Sequence, residues 1–274
     1  VSIPTALSSR VGRYLLPSDS ETAASKRRNV EPGGTMNTKT TEIADGIYRF
    51  STYLEPANLR FNQYLIAGDE PLIFHCGYQK LFPLVSAAVA RVAPLDSLRW
   101  ITFGHYEADE CGSMNEWLRV APKASIAFGE IGCMVSVGDM ALRAPRALKD
   151  GETIDLGGKR VKYFYTPHVP HGWDAGLLFE ETTRTLLCGD LFTQVGDGPD
   201  VTESDIVAPA LSAEDMYLAS SLTAAMAPTI RKLAKLEPTA LALMHGPAFR
   251  GNAARALNDL ADGYAQRFEK SLGR

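Results

Sequence analysis

The nine residues from Gly104 to Gly112, GHYEADECG, set His105, Glu107 and Asp109 at alternate positions and follow them with Glu110. They come directly after LRWITF, Leu98 to Phe103, a run that reads as a buried strand. The four side chains therefore belong to the loop at a strand's carboxyl end, and loops carried on rigid strands are where sites are built. An imidazole and three carboxylates this close are costly to hold without a cation, because like charges in a poorly solvated cleft repel. The pattern is that of metal ligands. A solvated acidic turn is the other reading of the stretch taken alone.

The remaining histidines point the same way. There are only five, and His105, His168, His171 and His245 fall at the ends of predicted strands or in the loops after them, with His75 ending another strand. Scarce histidine gathered on one edge of a sheet is best explained by a metal or catalytic site. Asp190 follows the apolar run TLLCG, where a lone buried acid would need a partner.

Hydrophobic periodicity gives the order of elements. TEIADGIYRFST, Thr41 to Thr52, reads as one strand, followed by FNQYLIAG and LIFHCG as further strands. Gln79 to Val92 carries apolar residues at helical spacing and is closed by Pro94. The strand ending at His105 comes next, then a helix near SMNEWLRVA, a strand at Ala124 to Phe128 and a short helix near Ile131 to Met140. In the second half, ETIDLGG and KRVKYFYTP are strands joined at Gly157-Gly158, and GLLFEETTRTLLCGDLF is a hairpin. Helices are predicted at Ala213 to Ala225 and Pro228 to Leu236, then the strand ALALMHG and a last amphipathic helix from Asn252 to Leu272. Each half runs strands first, then strand and helix in alternation. The expected fold is α/β (α+β): an αββα sandwich of two mixed β-sheets with helices on the outer faces.

Size and composition bound the rest. A chain of 274 residues at 45% hydrophobic content has ample material for one large core over residues 36–274. Residues 1–35, rich in Ser, Arg, Pro and Gly, are expected to form an amino-terminal arm or extension that contacts another subunit. A net charge of −4 with no large block of one sign gives no reason to expect nucleic acid. No apolar stretch reaches spanning length, so no membrane is expected, and a cytoplasmic location is the default. Cys76, Cys111, Cys133 and Cys188 lack CxxC spacing and are expected to be reduced; Cys76 and Cys111 flank the candidate loops.

On these residues the chain resembles the metallo-β-lactamase superfamily over about Thr41 to Leu272. Where most hydrolases of that superfamily carry HxHxDH, this chain has His105-Tyr-Glu107-Ala-Asp109-Glu110, and Glu in the second ligand position resembles instead the flavodiiron pattern HxExDH. His171 before Gly-Trp-Asp174 looks like the second-histidine loop of those proteins, Asp190 lies 190 − 171 = 19 positions on, and His245 in MHGP looks like the last ligand. The resemblance implies that one metal takes His105, Glu107 and His171, the other Asp109 and His245, with Asp190 bridging. Such an oxygen-rich set suits iron better than zinc, with manganese a further candidate.

Three departures accompany the resemblance. Glu110 replaces the final histidine, either as a further ligand of the second metal or swung out of the site. The chain ends at Arg274, so no flavodoxin-like domain and no flavin are expected in it. His75 stands where the superfamily often has Asp.

Two functions fit. A metal-dependent hydrolase would use metal-bound hydroxide on a small molecule, with Glu110 and His168 as candidate catalytic residues and Trp173 and Tyr106 walling a pocket for an apolar or aromatic substrate. An oxygen or nitric oxide reductase, or an oxygen sensor, would use the same metals with an external electron donor. Counting Glu110 as an extra anionic ligand, which would favour oxidised iron, the expectation leans to the hydrolase. A homodimer or higher oligomer is expected, and a complex with a related second chain stays open.

Overall fold

Alternate residues along the strands enter two different cores, and this sets the layers. In the segment Leu59–Ile66, Phe61 and Leu65 join one buried cluster while Tyr64 and Ile66 join another. In the segment Gly176–Glu180, Leu178 parts in the same way from Leu177 and Phe179. A strand's side chains point to opposite faces at period two, so each of these strands is apolar on both faces and must be covered twice. A computed structural model of the chain describes residues 36–273. The expected arm, residues 1–35, and its subunit contact lie outside the described residues.

The first sheet holds β1 (Thr38–Ala44), β2 (Ile47–Leu54), β3 (Leu59–Ile66), β4 (Leu72–Phe74), β5 (Trp100–Thr102), β6 (Ser125–Gly129) and β7 (Arg146–Leu148) in that spatial order. Its first four strands run antiparallel and the last four parallel. The second sheet is built from β8 (Thr153–Asp155), β9 (Arg160–Tyr165), β10 (Gly176–Glu180), β11 (Thr185–Leu187), β12 (Val201–Thr202), β13 (Ala240–Ala242) and β14 (Ala248–Arg250). Its spatial order is β12-β14-β13-β11-β10-β9-β8, and β11 pairs parallel with β13.

Between the sheets lies a cluster that includes Tyr64, Phe74, Trp100, Tyr163, Leu178 and Leu187 and contains no helical residue. Outside the first sheet, Val85 and Val89 of the helix Phe82–Val89 pack with Trp117 and Leu118 of Met114–Val120. Outside the second, residues of Val207–Tyr217, Met226–Ala234 and Ala253–Ser271 form the third cluster. The αββα sandwich of two mixed sheets is therefore the observed fold. Among the described residues no helix is long and apolar enough to cross a membrane.

Local differences have local causes. The single strand expected at Thr41 to Thr52 is a hairpin, because Asp45-Gly46 turns the chain and Gly46 takes φ 64°. The helix expected at Ala213 to Ala225 runs instead over Val207–Tyr217 and stops where Leu218 adopts φ 51°. β7, β12 and β14 have two or three residues each, too few to show an alternation. The last helix starts as expected: Asn252 caps it by accepting from the Arg255 N–H.

Candidate metal centre

The carboxyl ends of β5, β11 and β13 and the connection from β9 to β10 bring the candidate ligands together. After β5 the chain is extended at Glu107 and then makes one helical turn, Ala108–Cys111. Successive residues on a helix point about 100° apart, so Asp109 and Glu110 cannot face the same way. Asp109 turns to the site, with Oδ2 3.3 Å from Nε2 of His245. Glu110 turns into the protein and is fully buried.

The donors form two groups that share one residue. Nε2 of His105 lies 2.7 Å and Nε2 of His171 3.1 Å from Oε2 of Glu107. The same two ring nitrogens are 3.8 Å and 3.3 Å from Oδ2 of Asp190. One donor atom from each of His105, Glu107, His171 and Asp190 lies within 4.8 Å of all the others. The second group meets the other oxygen: Oδ1 of Asp190 is 3.4 Å from Nε2 of His245, which also faces Asp109. That Oδ1 is buried and makes no hydrogen bond in the protein, an atom a cation would complete. The residues therefore fit a pair of metal ions.

Atoms behind the site hold these side chains. Nδ1 of His245 is 2.8 Å from the Arg60 carbonyl, which leaves Nε2 facing Asp190 and Asp109. Asn62 donates to the Leu243 and Gly246 carbonyls on either side of His245, and the Tyr64 hydroxyl donates to Leu243 as well. Buried Arg49 reaches the Gly246 carbonyl and Asp200, and buried Arg60 pairs with Asp197. These bracing residues escaped the sequence reading. Their signal was polar side chains in or beside the expected strands: Arg49 in TEIADGIYRFST, Asn62 in FNQYLIAG and Arg60 just before it.

Electrostatics without metal are those of a set held together by protons. Burial works against a charged His105, yet the Glu110 charge and the contacts with Glu107 and Glu110 outweigh it and push the ring up to about 12. His245 is pushed up to about 10, burial again being overcome by Asp109 and Asp190. Hydrogen bonds from His105 and His171 hold Glu107 down to about 2. Asp190 is held well below the usual carboxylate range despite its burial, by His245, His105 and His171. A metal would take the place of these protons.

Glu110 does not join either group. Its Oε2 accepts from the backbone N–H groups of Gly104 and His105, and its Oε1 lies 3.3 Å from Nδ1 of His105 and 3.4 Å from Nε2 of His75. It thus grips His105 from behind, and His75, whose Nδ1 is 3.1 Å from the Asn62 carbonyl, backs it. The expected catalytic histidine, His168, is exposed in the β9–β10 connection and takes no place on the cavity. Trp173 is 41% exposed and Tyr106 packs into the first sheet's outer core, so neither walls the site. Asp174 accepts from the Tyr106 N–H, holding the two ligand loops together. Cys76 and Cys111 are buried in the core and, like the other cysteines, free.

What the donors open on is a cavity of about 470 Å³, also lined by Leu59, Pro170, Ala210, Ala213, Tyr217 and Tyr264.

A family model described as ODP family beta lactamase matches residues 59–246. The type A flavoprotein fprA of Rhodobacter capsulatus is 27% identical over 153 residues, 54% of this chain and 35% of the relative. A putative diflavin flavoprotein A 1 of Thermosynechococcus vestitus is 24% identical over 195 residues, 69% of this chain and 34% of its own length. The chain spans about a third of the length of these curated relatives. Among solved structures, rubredoxin oxygen:oxidoreductase of Desulfovibrio gigas superposes with a TM-score of 0.70 at 18% identity, covering 84% of this chain and 62% of that one. A metal-soaked flavodiiron core from Synechocystis gives 0.73 at 20% identity, covering 85% and 61%. These likenesses overturn the expectation of a metal-dependent hydrolase: the relatives are flavoproteins, and the solved neighbours are a flavodiiron core and an oxygen:oxidoreductase.

Proposed function

Since the chain belongs to the ODP family beta lactamases, we propose that it is a flavodiiron-type metal domain that reduces a diatomic gas, oxygen or nitric oxide, with electrons from a donor protein. The observation that carries this reading is the division of Asp190, whose Oδ2 faces His105 and His171 while Oδ1 faces His245. Three imidazoles with the carboxylates of Glu107, Asp109 and Asp190 make an oxygen-rich set that favours iron over zinc. A pair of iron ions in that set would supply the redox chemistry, one electron from each ion.

The residues themselves decide where a gas has room. Among the described residues, four side chains surround the His105 side, counting Asp190, whereas Asp109, His245 and Asp190 serve the other. Glu110 adds nothing there because it is turned inward. As a ligand it would have added negative charge and favoured the oxidised ions; behind His105 it acts only through the ring. Placed there, Glu110 gives the ions no extra anionic ligand and no reason to favour hydrolysis over reduction. Leu59, Ala210 and Ala213 give the cavity an apolar wall suited to an uncharged gas.

The test is to load the protein with ferrous iron under anaerobic conditions, add a one-electron donor protein and follow each gas. Repeated turnover of oxygen or nitric oxide is expected. Consumption of neither gas beyond a single stoichiometric reaction by a fully loaded protein overturns the reading.

A further inference from the structure

We propose that Glu214, Ser220 and Tyr264 form a proton relay serving the cavity on which the metal donors open. The inference rests on the gas-reduction reading above, because either reaction consumes protons. Oxygen takes four electrons and four protons, its O–O bond breaks, and four O–H bonds of two water molecules form. Two nitric oxide molecules take two electrons and two protons, forming an N–N bond and losing one oxygen as water. The donor protein supplies the electrons, and the protons come from solvent by way of the polar groups that line the cavity.

One wall of the cavity is built by the helix Val207–Tyr217, the segment after it and the helix Ala253–Ser271. Within it three polar side chains, two of them six residues apart and the third 44 residues further on, follow one another at hydrogen-bond distance. Glu214 is 6% exposed and accepts the Ser220 hydroxyl at 2.6 Å and the Ser220 N–H at 3.2 Å. The Ser220 oxygen lies 3.1 Å from the Tyr264 hydroxyl. All three line the same cavity as Asp109, Asp190 and His245. The neighbouring acid shows the contrast: Asp215 points outward and is taken by Arg267 at 2.6 Å. Burial pushes the Tyr264 phenol up to about 12, so it keeps its proton until one is taken from it.

The bond between Glu214 and the Ser220 N–H also closes the turn after the helix, and a purely structural carboxylate would do that much. It would not need two hydroxyls continuing the line along the cavity. In the relay, a proton from solvent enters at the Glu214 carboxylate and passes to the Ser220 oxygen. The Ser220 hydroxyl proton moves to the Tyr264 oxygen, and the Tyr264 O–H delivers into the cavity. Each transfer breaks one O–H bond and forms another, with no net change in the three side chains after a cycle.

The experiment compares the iron-loaded wild type with Tyr264→Phe, Ser220→Ala, Glu214→Gln and Glu214→Asp at saturating donor. Tyr264→Phe removes only a hydroxyl, so it remains informative if a Glu214 variant fails to fold. The expected result is a rate lower by about 10²-fold in Tyr264→Phe, Ser220→Ala and Glu214→Gln, a larger solvent deuterium isotope effect, unchanged metal content and partial recovery in Glu214→Asp. An infrared difference spectrum between oxidised and reduced protein is expected to show a carboxyl signal that Glu214→Gln removes. Wild-type rates and isotope effects in the variants overturn the relay alone. A lower rate with an unchanged isotope effect and no such carboxyl signal marks a structural role and also overturns it. Absence of turnover in the wild type overturns the gas reading and the relay with it.

Discussion

Oε1 of Glu110 lies 3.3 Å from Nδ1 of His105, on the ring nitrogen opposite the one that faces Glu107 and Asp190. A residue that directly follows the alternating metal-ligand candidates thus acts on one of them from behind. Its carboxylate fixes which nitrogen of His105 is presented to the site.

Removing that carboxylate should affect His105 more than the shared centre. In Glu110→Ala the N–H groups of Gly104 and His105 lose their buried acceptor. A stability loss of about 1–3 kcal/mol is expected from that alone. Metal affinity on the His105 side should fall about 10–100-fold, with at least one metal retained. Thermal melting and a metal titration check both, and unchanged affinity would return Glu110 to a packing role.

Asp190→Ala should empty both positions, because each oxygen of that carboxylate faces a different donor group. Metal content after loading and gel filtration is the measurement. Retention of the full metal content would show that the two groups do not depend on a shared bridge.

Asn62→Ala should weaken the His245 side without touching a candidate ligand. It removes two hydrogen bonds to the carbonyls of Leu243 and Gly246, both in the loop that carries His245. A loss of about 1–3 kcal/mol in unfolding free energy is expected from buried carbonyls left unpaired. Chemical denaturation of the metal-free protein gives the stability, and a titration gives the affinity.

The metal-free protein should have a stability maximum in mildly acid solution. His245 is held above its ordinary 6.5, up to about 10, so its contribution is complete below pH 6.5 and is lost as pH rises toward 10. Glu107 is held below its ordinary 4.5, down to about 2, so its contribution is present above pH 4.5 and is lost as pH falls toward 2. The midpoint temperature of the metal-free protein is therefore expected to peak between about pH 4.5 and 6.5. Loading metal displaces the histidine protons, so the loaded protein should keep its stability at alkaline pH and release metal on acidification. A metal-free protein that grows more stable from pH 7 to 9 would contradict this.

The amino-acid order alone determined the layers and the neighbourhood of the site. Two-residue alternation in FNQYLI and GLLFE demands cover on both faces, and histidines at strand ends must gather on one edge once the strands lie side by side. The structure places His105, Glu107, Asp109, His171, Asp190 and His245 together at that edge. Only the tertiary structure decided the direction of each side chain. Asp109 and Glu110 are adjacent carboxylates that helical phase sets apart, and packing decides that one meets His245 while the other lies behind His105. Glu214 and Ser220 lie six residues apart, Tyr264 is 44 residues beyond Ser220, and the three carry no shared motif. Their line along the cavity exists only because the helices Val207–Tyr217 and Ala253–Ser271 pack on the same sheet. Pattern specifies which residues must be buried together, while packing specifies the angle at which they meet, and the chemistry of this site depends on the angle.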